Sequence, residues 1–252
     1  MQFLKKINIS SYIIIITTII TLLSSCNKTD CLGDAGEITI YKINVGNFNS
    51  IQIFDTFDVY IIQDSLNIVE IELEKEFIEQ IKVINDDSSL IITNENKCRF
   101  LQNSGNVPKI TVHITDIDSA IFREYGRFYS KDTINTKRFL LKFITEAGYA
   151  NFIVNTEHLA VSIWGKGTTG EFYVKGKTTY LQILNDGTSF VYADSLIANY
   201  TTIYNTSRGD VKISPIKTIS ASIYKSGNIF YTGNPEIKLI EEFSTGKLIK
   251  LD

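Results

Sequence analysis

Histidine, cysteine and proline are all scarce in this chain of 252 residues, which contains two, three and three of them. His113 and His158 stand far apart, and neither falls in a His-Glu-x-x-His spacing or a similar one. The sequence therefore offers no histidine-based metal centre, and each histidine is expected on a solvated strand face or corner. No Gly-x-Ser-x-Gly elbow is present. Gly165-Lys166-Gly167-Thr168 lacks the spacing and the following helix of a phosphate loop, so it reads as a backbone corner. An excess of one charge is also missing. The 25 basic and 28 acidic residues are interspersed and sum to −3, which gives no footing for nucleic acid or an anionic membrane surface as partner. Long amphipathic helices are absent, and Glu74 to Gln80 has room for a turn or two at most. No catalytic residue and no cofactor are implied.

What the chain has in quantity is Ile, Val, Thr, Tyr and Phe, the residues that suit strands. From Phe139 to Ile223 they recur with a period of 20 residues. The triplets are Phe139-Leu141-Phe143, Leu159-Val161-Ile163, Thr179-Leu181-Ile183, Asn199-Thr201-Ile203 and Ile219-Ala221-Ile223. Alternation within each triplet places those side chains on one face of a strand. A fixed longer period means a solenoid, because each unit is too small to bury its apolar face alone. The expected fold is an all-β parallel β-solenoid with coils of about 20 residues and a less regular N-terminal part. Phe143, Ile163, Ile183, Ile203 and Ile223 are predicted to form one interior column. The second strand of each coil has an ambiguous register: Phe152 and Val154 match Phe172 and Val174, while Val191 and Ala193 match Val211 and Ile213. An inserted residue at a corner would account for the slip. Gly126, Gly148, Gly167, Gly187, Gly209 and Gly227 are expected at coil corners.

Before the repeat, the chain reads as paired strands. Ile51 to Phe54 and Phe57 to Ile62 flank Asp55-Thr56, and Ile68 to Glu74 alternates clearly. Ile81 to Ile84 and Leu90 to Thr93 enclose a loop rich in turn formers, and Ile110 to Ile114 alternates again. Residues 236–252, past Pro235, are expected to cap the solenoid against edge pairing.

The first 25 residues read as a signal peptide, with Lys5 and Lys6 ahead of an apolar run from Tyr12 to Leu23 that is too short to span a bilayer. Leu22-Leu23-Ser24-Ser25-Cys26 resembles the lipobox of bacterial lipoproteins, which implies that Cys26 becomes a lipidated N-terminus. The alternative is an ordinary cleaved signal followed by a free Cys26. Residues 26–46 then form a tether. The expected location is the cell envelope, anchored by lipid to the outer membrane. In that oxidising compartment Cys31 and Cys98 can form one disulfide, closing a loop worth on the order of 4 kcal/mol. A metal site is the alternative for two thiols, though no histidine lies nearby.

Phe48-Asn49-Ser50-Ile51 with Val59-Tyr60-Ile61-Ile62-Gln63 opens the folded region, and Gly227-Asn228-Ile229-Phe230-Tyr231-Thr232-Gly233-Asn234-Pro235 ends it. Both resemble the putative autotransporter-adhesin head GIN domain, with the similarity covering roughly residues 47–235. The resemblance implies a right-handed parallel β-solenoid and, by analogy, adhesion. It carries over no binding residues. Ser207-Arg208-Gly209-Asp210 replaces the family's frequent Gly-Ser-Gly-Asp corner. The Arg-Gly-Asp triplet is read there as turn chemistry, with Asp210 accepting from nearby backbone N–H groups.

The outer face of the ladder is the candidate binding surface. Its residues are Trp164, Tyr180, Gln182, Leu184, Tyr200, Thr202, Tyr204, Ser222 and Tyr224. With strands ~4.8 Å apart, Trp164, Leu184, Tyr204 and Tyr224 are predicted to form one file beside a polar file. Aromatic side chains beside hydroxyls and amides suit a glycan or an extended peptide. Such ladders can also serve only to stabilise a sheet. Three readings follow: a non-catalytic adhesin-like binding module, an envelope-organising scaffold that pairs with another protein, or a carbohydrate-active enzyme. The last would need carboxylates facing a basic partner, and Asp116 with Asp118 is the nearest local acidic pair.

Overall fold

The computed structural model describes residues 36–96, 107–165 and 167–252. The signal segment, the lipidated Cys26 and the pair Cys31 and Cys98 lie outside the described residues. Within them the chain forms a β-solenoid of about seven turns. No helix among the described residues is long and apolar enough to cross a membrane.

Two strand faces enclose the core. The first runs through β1 (Ile38–Asn44), β4 (Ile68–Glu74), β7 (Lys109–Ile114) and β3 (Phe57–Gln63). It continues through the first halves of β9 (Gly126–Phe143), β10 (Ala147–Ile163), β11 (Thr169–Gly187), β12 (Phe190–Ser207) and β13 (Val211–Ile223), then β14 (Ile229–Tyr231) and β16 (Leu248–Lys250). The second stacks β5 (Ile81–Asp86), β6 (Ser89–Asn94), β2 (Ser50–Ile53) and β8 (Ser119–Phe122) on the second halves of β9 to β13, followed by β15 (Glu236–Glu242). Pairing is parallel except for β1 with β4, β4 with β7 and β5 with β6. Lys75–Gln80 is a short 3-10 helix.

The irregular N-terminal part has a specific cause, which is that chain order and stacking order differ. β2 and β3 do not pair with each other. β2 lies between β6 and β8, and β3 lies between β7 and β9. The chain thus enters one layer inside the stack, runs outward through β4 to β7, and returns at β8. At the other end the coil does not stop at Pro235. β15 pairs in parallel with β13, and β16 pairs in parallel with β14, so residues 236–250 wind as a further coil.

Alternation fills the interior as expected. Phe122, Phe128, Phe143, Phe152 and Phe172 are fully buried and form a ring cluster, with centroids 4.0 Å apart for Phe122–Phe128 and 4.6 Å for Phe143–Phe172. Each such side chain contributes about 1.5–3 kcal/mol on burial.

The predicted interior column is split in two. Phe143 and Ile163 continue into Asn185, Asn205 and Ile223, whereas Ile183 and Ile203 stand beside Leu141, Val161 and Ala221. On this face the coil advances by 20 residues from Phe139 to Leu159, by 22 to Leu181, by 20 to Thr201 and by 18 to Ile219. The two-residue gain and the two-residue loss cancel, so a constant period fits at both ends of the repeat. A slip of two preserves inside and outside while moving each side chain one column along. The first face shows the same slip, since Phe152 pairs with Val174 and Phe172 with Val191. Thr179 and Asn199, predicted inward, are half-buried at the bend.

The displaced column holds a buried amide ladder. Asn185 Nδ2 donates to Asn205 Oδ1 at 3.1 Å and to the Ser189 carbonyl at 3.0 Å. Asn205 Nδ2 donates to the Gly227 carbonyl at 3.0 Å. These amides satisfy backbone groups at the corner that would otherwise be buried unpaired. Gly187 adopts φ 77° there, as a corner residue in the left-handed region must. Gly209 is held to glycine for another reason: a Cβ would sit 2.2 Å from the Ser189 carbonyl oxygen of the coil beneath. In the same corner Asp210 Oδ1 accepts the Asn228 N–H at 2.8 Å, which is the turn role read for the Arg-Gly-Asp triplet.

Candidate functional site

The two-residue slip rearranges the outer face as well. Trp164, Leu184, Tyr204 and Tyr224 do not share one file. Leu184 and Tyr204 stand in register with Ser162 and Ser222. Trp164 and Tyr224 follow Ile163 and Ile223, one column further along. Trp164 is 59% exposed, and Tyr224 stacks on Phe243 at 4.8 Å. Asp186, not an aromatic residue, lies between them in that column, bonded to Lys225 at 3.2 Å. Burial pushes the Asp186 carboxyl upward, but the Gly187 N–H, Lys225 and Thr206 outweigh it and hold the group below its ordinary range.

The same slip assembles a different file. Arg138, His158, Tyr180, Tyr200 and Thr218 are consecutive partners across β9 to β13. The His158 and Tyr180 rings stack at 4.7 Å and 11°, and Tyr180 and Tyr200 at 5.1 Å and 17°. Lys217 Nζ lies 5.3 Å above the Tyr200 ring and 3.5 Å from its hydroxyl. Next to this stack runs the file Leu140, Ala160, Gln182, Thr202 and Ser220. A groove of about 540 Å³ follows the two files across four coils, with Asp118 at one end. Ala160 leaves it deep in the middle, because only a methyl group rises from that coil. Of the predicted surface, Tyr180, Gln182, Tyr200 and Thr202 line this groove. Trp164, Leu184, Tyr204, Ser222 and Tyr224 are not among its lining residues.

Geometry limits what the stack can recognise. Near-parallel rings one strand spacing apart occupy each other's faces, so the groove meets ring edges, phenol hydroxyls and an imidazole nitrogen rather than open π-faces. Gln182 adds an amide with two donors and an acceptor, and Thr202 a hydroxyl. His158 Nε2 also lies 3.6 Å from Glu157. Asp118 accepts a hydrogen bond from Asn49 Nδ2 at 3.2 Å, and Asp116 accepts the Ile117 N–H, so both predicted acids serve the local backbone and turn. Among the described residues no three His, Cys, Asp or Glu side chains are grouped to hold a metal ion.

The first face carries a second aromatic ladder that the periodicity did not reveal. Tyr60 and Tyr129 stack at 5.1 Å, Tyr173 and Tyr192 at 4.6 Å. Between them Asn151 occupies the register position, and Tyr149 leans in from the neighbouring column, 5.7 Å from Tyr129 and 5.5 Å from Tyr173. Lys109 and Lys131 cover the Tyr60 end, and Lys212 the Tyr192 end. The Tyr173 hydroxyl donates to Glu171 at 2.9 Å, which with partial burial raises its pKa to about 12. Alternation of Tyr60 with Val59 and Ile61, and of Tyr173 with Phe172 and Val174, was the available signal. The unequal coil lengths concealed that these tyrosines align.

Comparison with known proteins places this architecture. Residues 47–235 match the family described as putative auto-transporter adhesin, head GIN domain. The fold is similar to the crystal structure of a putative adhesin from Bacteroides fragilis, with a TM-score of 0.76 and 18% identity over 85% of this chain and 97% of that one. It is also similar to a putative lipid binding protein from Parabacteroides distasonis, with a TM-score of 0.64 and 18% identity over 86% and 98% of the two chains. A putative adhesin from Parabacteroides merdae gives a TM-score of 0.56 at 16% identity, over 86% and 97%. No curated protein matches the chain.

Proposed function

Because the chain belongs to the putative auto-transporter adhesin head GIN domain family, we propose that it is a non-catalytic glycan-binding protein of the cell envelope, using the groove on its second face. The observation that carries this reading is the groove itself: ring edges and hydroxyls of His158, Tyr180 and Tyr200 face Gln182 and Thr202 over four coils. Repeated donors and acceptors spaced by the strand separation suit an extended chain rich in hydroxyl groups, which gains many modest hydrogen bonds rather than one deep anchor. Solenoid rigidity holds those groups in place before the ligand arrives, which lowers the entropic cost of binding. An extended peptide would find no free backbone edge in the groove, so the recognition would rest on side chains alone. Glycan is the better fit.

The anchor belongs to the same proposal. Cys26 carries the lipid, residues 26–46 space the solenoid from the outer membrane, and Cys31 pairs with Cys98. Metabolic labelling with an alkyne fatty acid tests the anchor, with label expected on the wild type and lost in Cys26→Ser. For the groove, the test is a glycan array probed with the purified mature chain and with Gln182→Ala/Thr202→Val. Signal on a defined subset of glycans that falls in the variant supports the proposal. Uniform silence of the wild type contradicts it, and a fixed protein crosslinked to the groove in whole cells would favour an envelope scaffold instead.

A further inference from the structure

The head of the tyrosine ladder adjoins a hollow of about 250 Å³ on the first face, lined by Thr56, Asp58, Tyr125, Arg127, Ala147 and Tyr149 among others. Tyr125 differs from every tyrosine of the ladder. Its side chain is 57% exposed, and its ring has no stacking partner among the described residues, so a π-face is open. Arg127 Nε lies 3.3 Å from Asp58 Oδ1. A guanidinium held by one carboxylate oxygen keeps further N–H donors for a ligand, and the other carboxylate oxygen remains an acceptor. Burial pushes the Asp58 carboxyl upward, and Arg127 partly offsets this. Ala147 contributes only a methyl group, which leaves the space open.

We propose that this hollow is a second sugar-binding site, sized for a single neutral sugar ring and independent of the groove on the opposite face. The open Tyr125 ring provides the platform for the sugar's C–H face, where apolar contact and ring quadrupole act together. Arg127 and Asp58 engage adjacent hydroxyls as paired donor and acceptor. Neutrality follows from the pair, since an anionic sugar meets Asp58 and a cationic one meets Arg127. The volume lies below the usual range for sites that take drug-sized ligands, which limits the occupant to one ring. A nucleobase run is excluded because it needs successive open aromatic faces, and the ladder beyond Tyr149 has its faces stacked on one another.

Saturation-transfer NMR on the full mature chain tests the site, using the methyl glycosides of glucose, galactose, mannose and N-acetylglucosamine as probes. Transfer to ring C–H protons is expected for at least one. Tyr125→Ala should weaken that glycoside about tenfold. Ala147→Leu, which fills the hollow from the outer face, should abolish the signal with the far-UV circular dichroism unchanged. Tyr180→Ala, on the other face, should leave it intact, so failure of the groove proposal does not touch this one. Three outcomes overturn the assignment: no transfer from any of the four glycosides, transfer unchanged by both Tyr125→Ala and Ala147→Leu, or transfer lost only in Tyr180→Ala.

Discussion

Asn205→Ala should be among the most damaging single substitutions outside the aromatic core. Asn205 is fully buried, and its amide donates to the Gly227 carbonyl at 3.0 Å while accepting from Asn185 at 3.1 Å and from the Ser207 N–H at 3.3 Å. Truncation leaves Gly227 O and Ser207 N buried without that amide, and leaves Asn185 with the Ser189 carbonyl as its remaining acceptor. At about 1–3 kcal/mol for each buried group left unsatisfied, partly relieved by relaxation, the expected loss is about 3 kcal/mol. Urea unfolding followed by circular dichroism measures it, provided the slope with denaturant is unchanged. Asn185→Ala shares the 3.1 Å bond, so the double variant should cost less than the sum of the two singles. Leaving the stability within about 0.5 kcal/mol of wild type would refute the ladder as the feature that fixes register at this corner.

Other consequences follow from the same geometry. Gly209→Ala forces a Cβ against the Ser189 carbonyl and should cost about 3 kcal/mol or prevent folding, whereas Gly167→Ala, with nothing within 4 Å of its Cβ, should cost only about 1 kcal/mol of backbone strain; thermal melts rank the two. Asp210→Ala removes the acceptor for the Asn228 N–H and should cost about 1 kcal/mol, while Arg208→Ala should be neutral, which chemical unfolding of the pair compares. Asp186 titrates below its unfolded value, so its contribution is complete above the ordinary carboxylate range and is lost as pH falls through the folded pKa. Asp186→Asn should therefore flatten the acid limb of a melting temperature against pH profile and leave the neutral region changed only by a constant offset.

The strands themselves were legible because burial alternates with a period of two whatever lies next door. Leu141, Val161, Ile183 and Ile203 had to point inward on any register. Which coil position faced which was not legible, since a gain of two residues before Leu181 and a loss of two before Ile219 leave the average period untouched. Asn185 and Asn205 hold the clue. Both occupy inward positions where a sequence reading expects a corner to have begun, and only the interstrand pairing shows that they stack as a polar column. The binding face suffered accordingly. Tyr180 with Tyr200 and Gln182 with Thr202 lie in coils related by 20 residues, so they were paired correctly. Trp164 and Tyr224 lie across the slip from Leu184 and Tyr204, so the predicted file broke there. His158 escaped notice for the same reason, because its partner Tyr180 is 22 residues away. The N-terminal strands were found individually, but no local signal could show that β2 would be sandwiched between β6 and β8.

Filling the groove from its own floor tests the central claim most directly. Ala160 is outward and half-exposed between Leu140 and Gln182, so Ala160→Phe occupies the groove without entering the core. Affinity for whichever array glycan binds the wild type should fall at least tenfold in this variant, with the melting temperature unchanged. Equal affinity in the two proteins, with both folded, would place the ligand elsewhere and contradict the assignment of the His158, Tyr180 and Tyr200 groove.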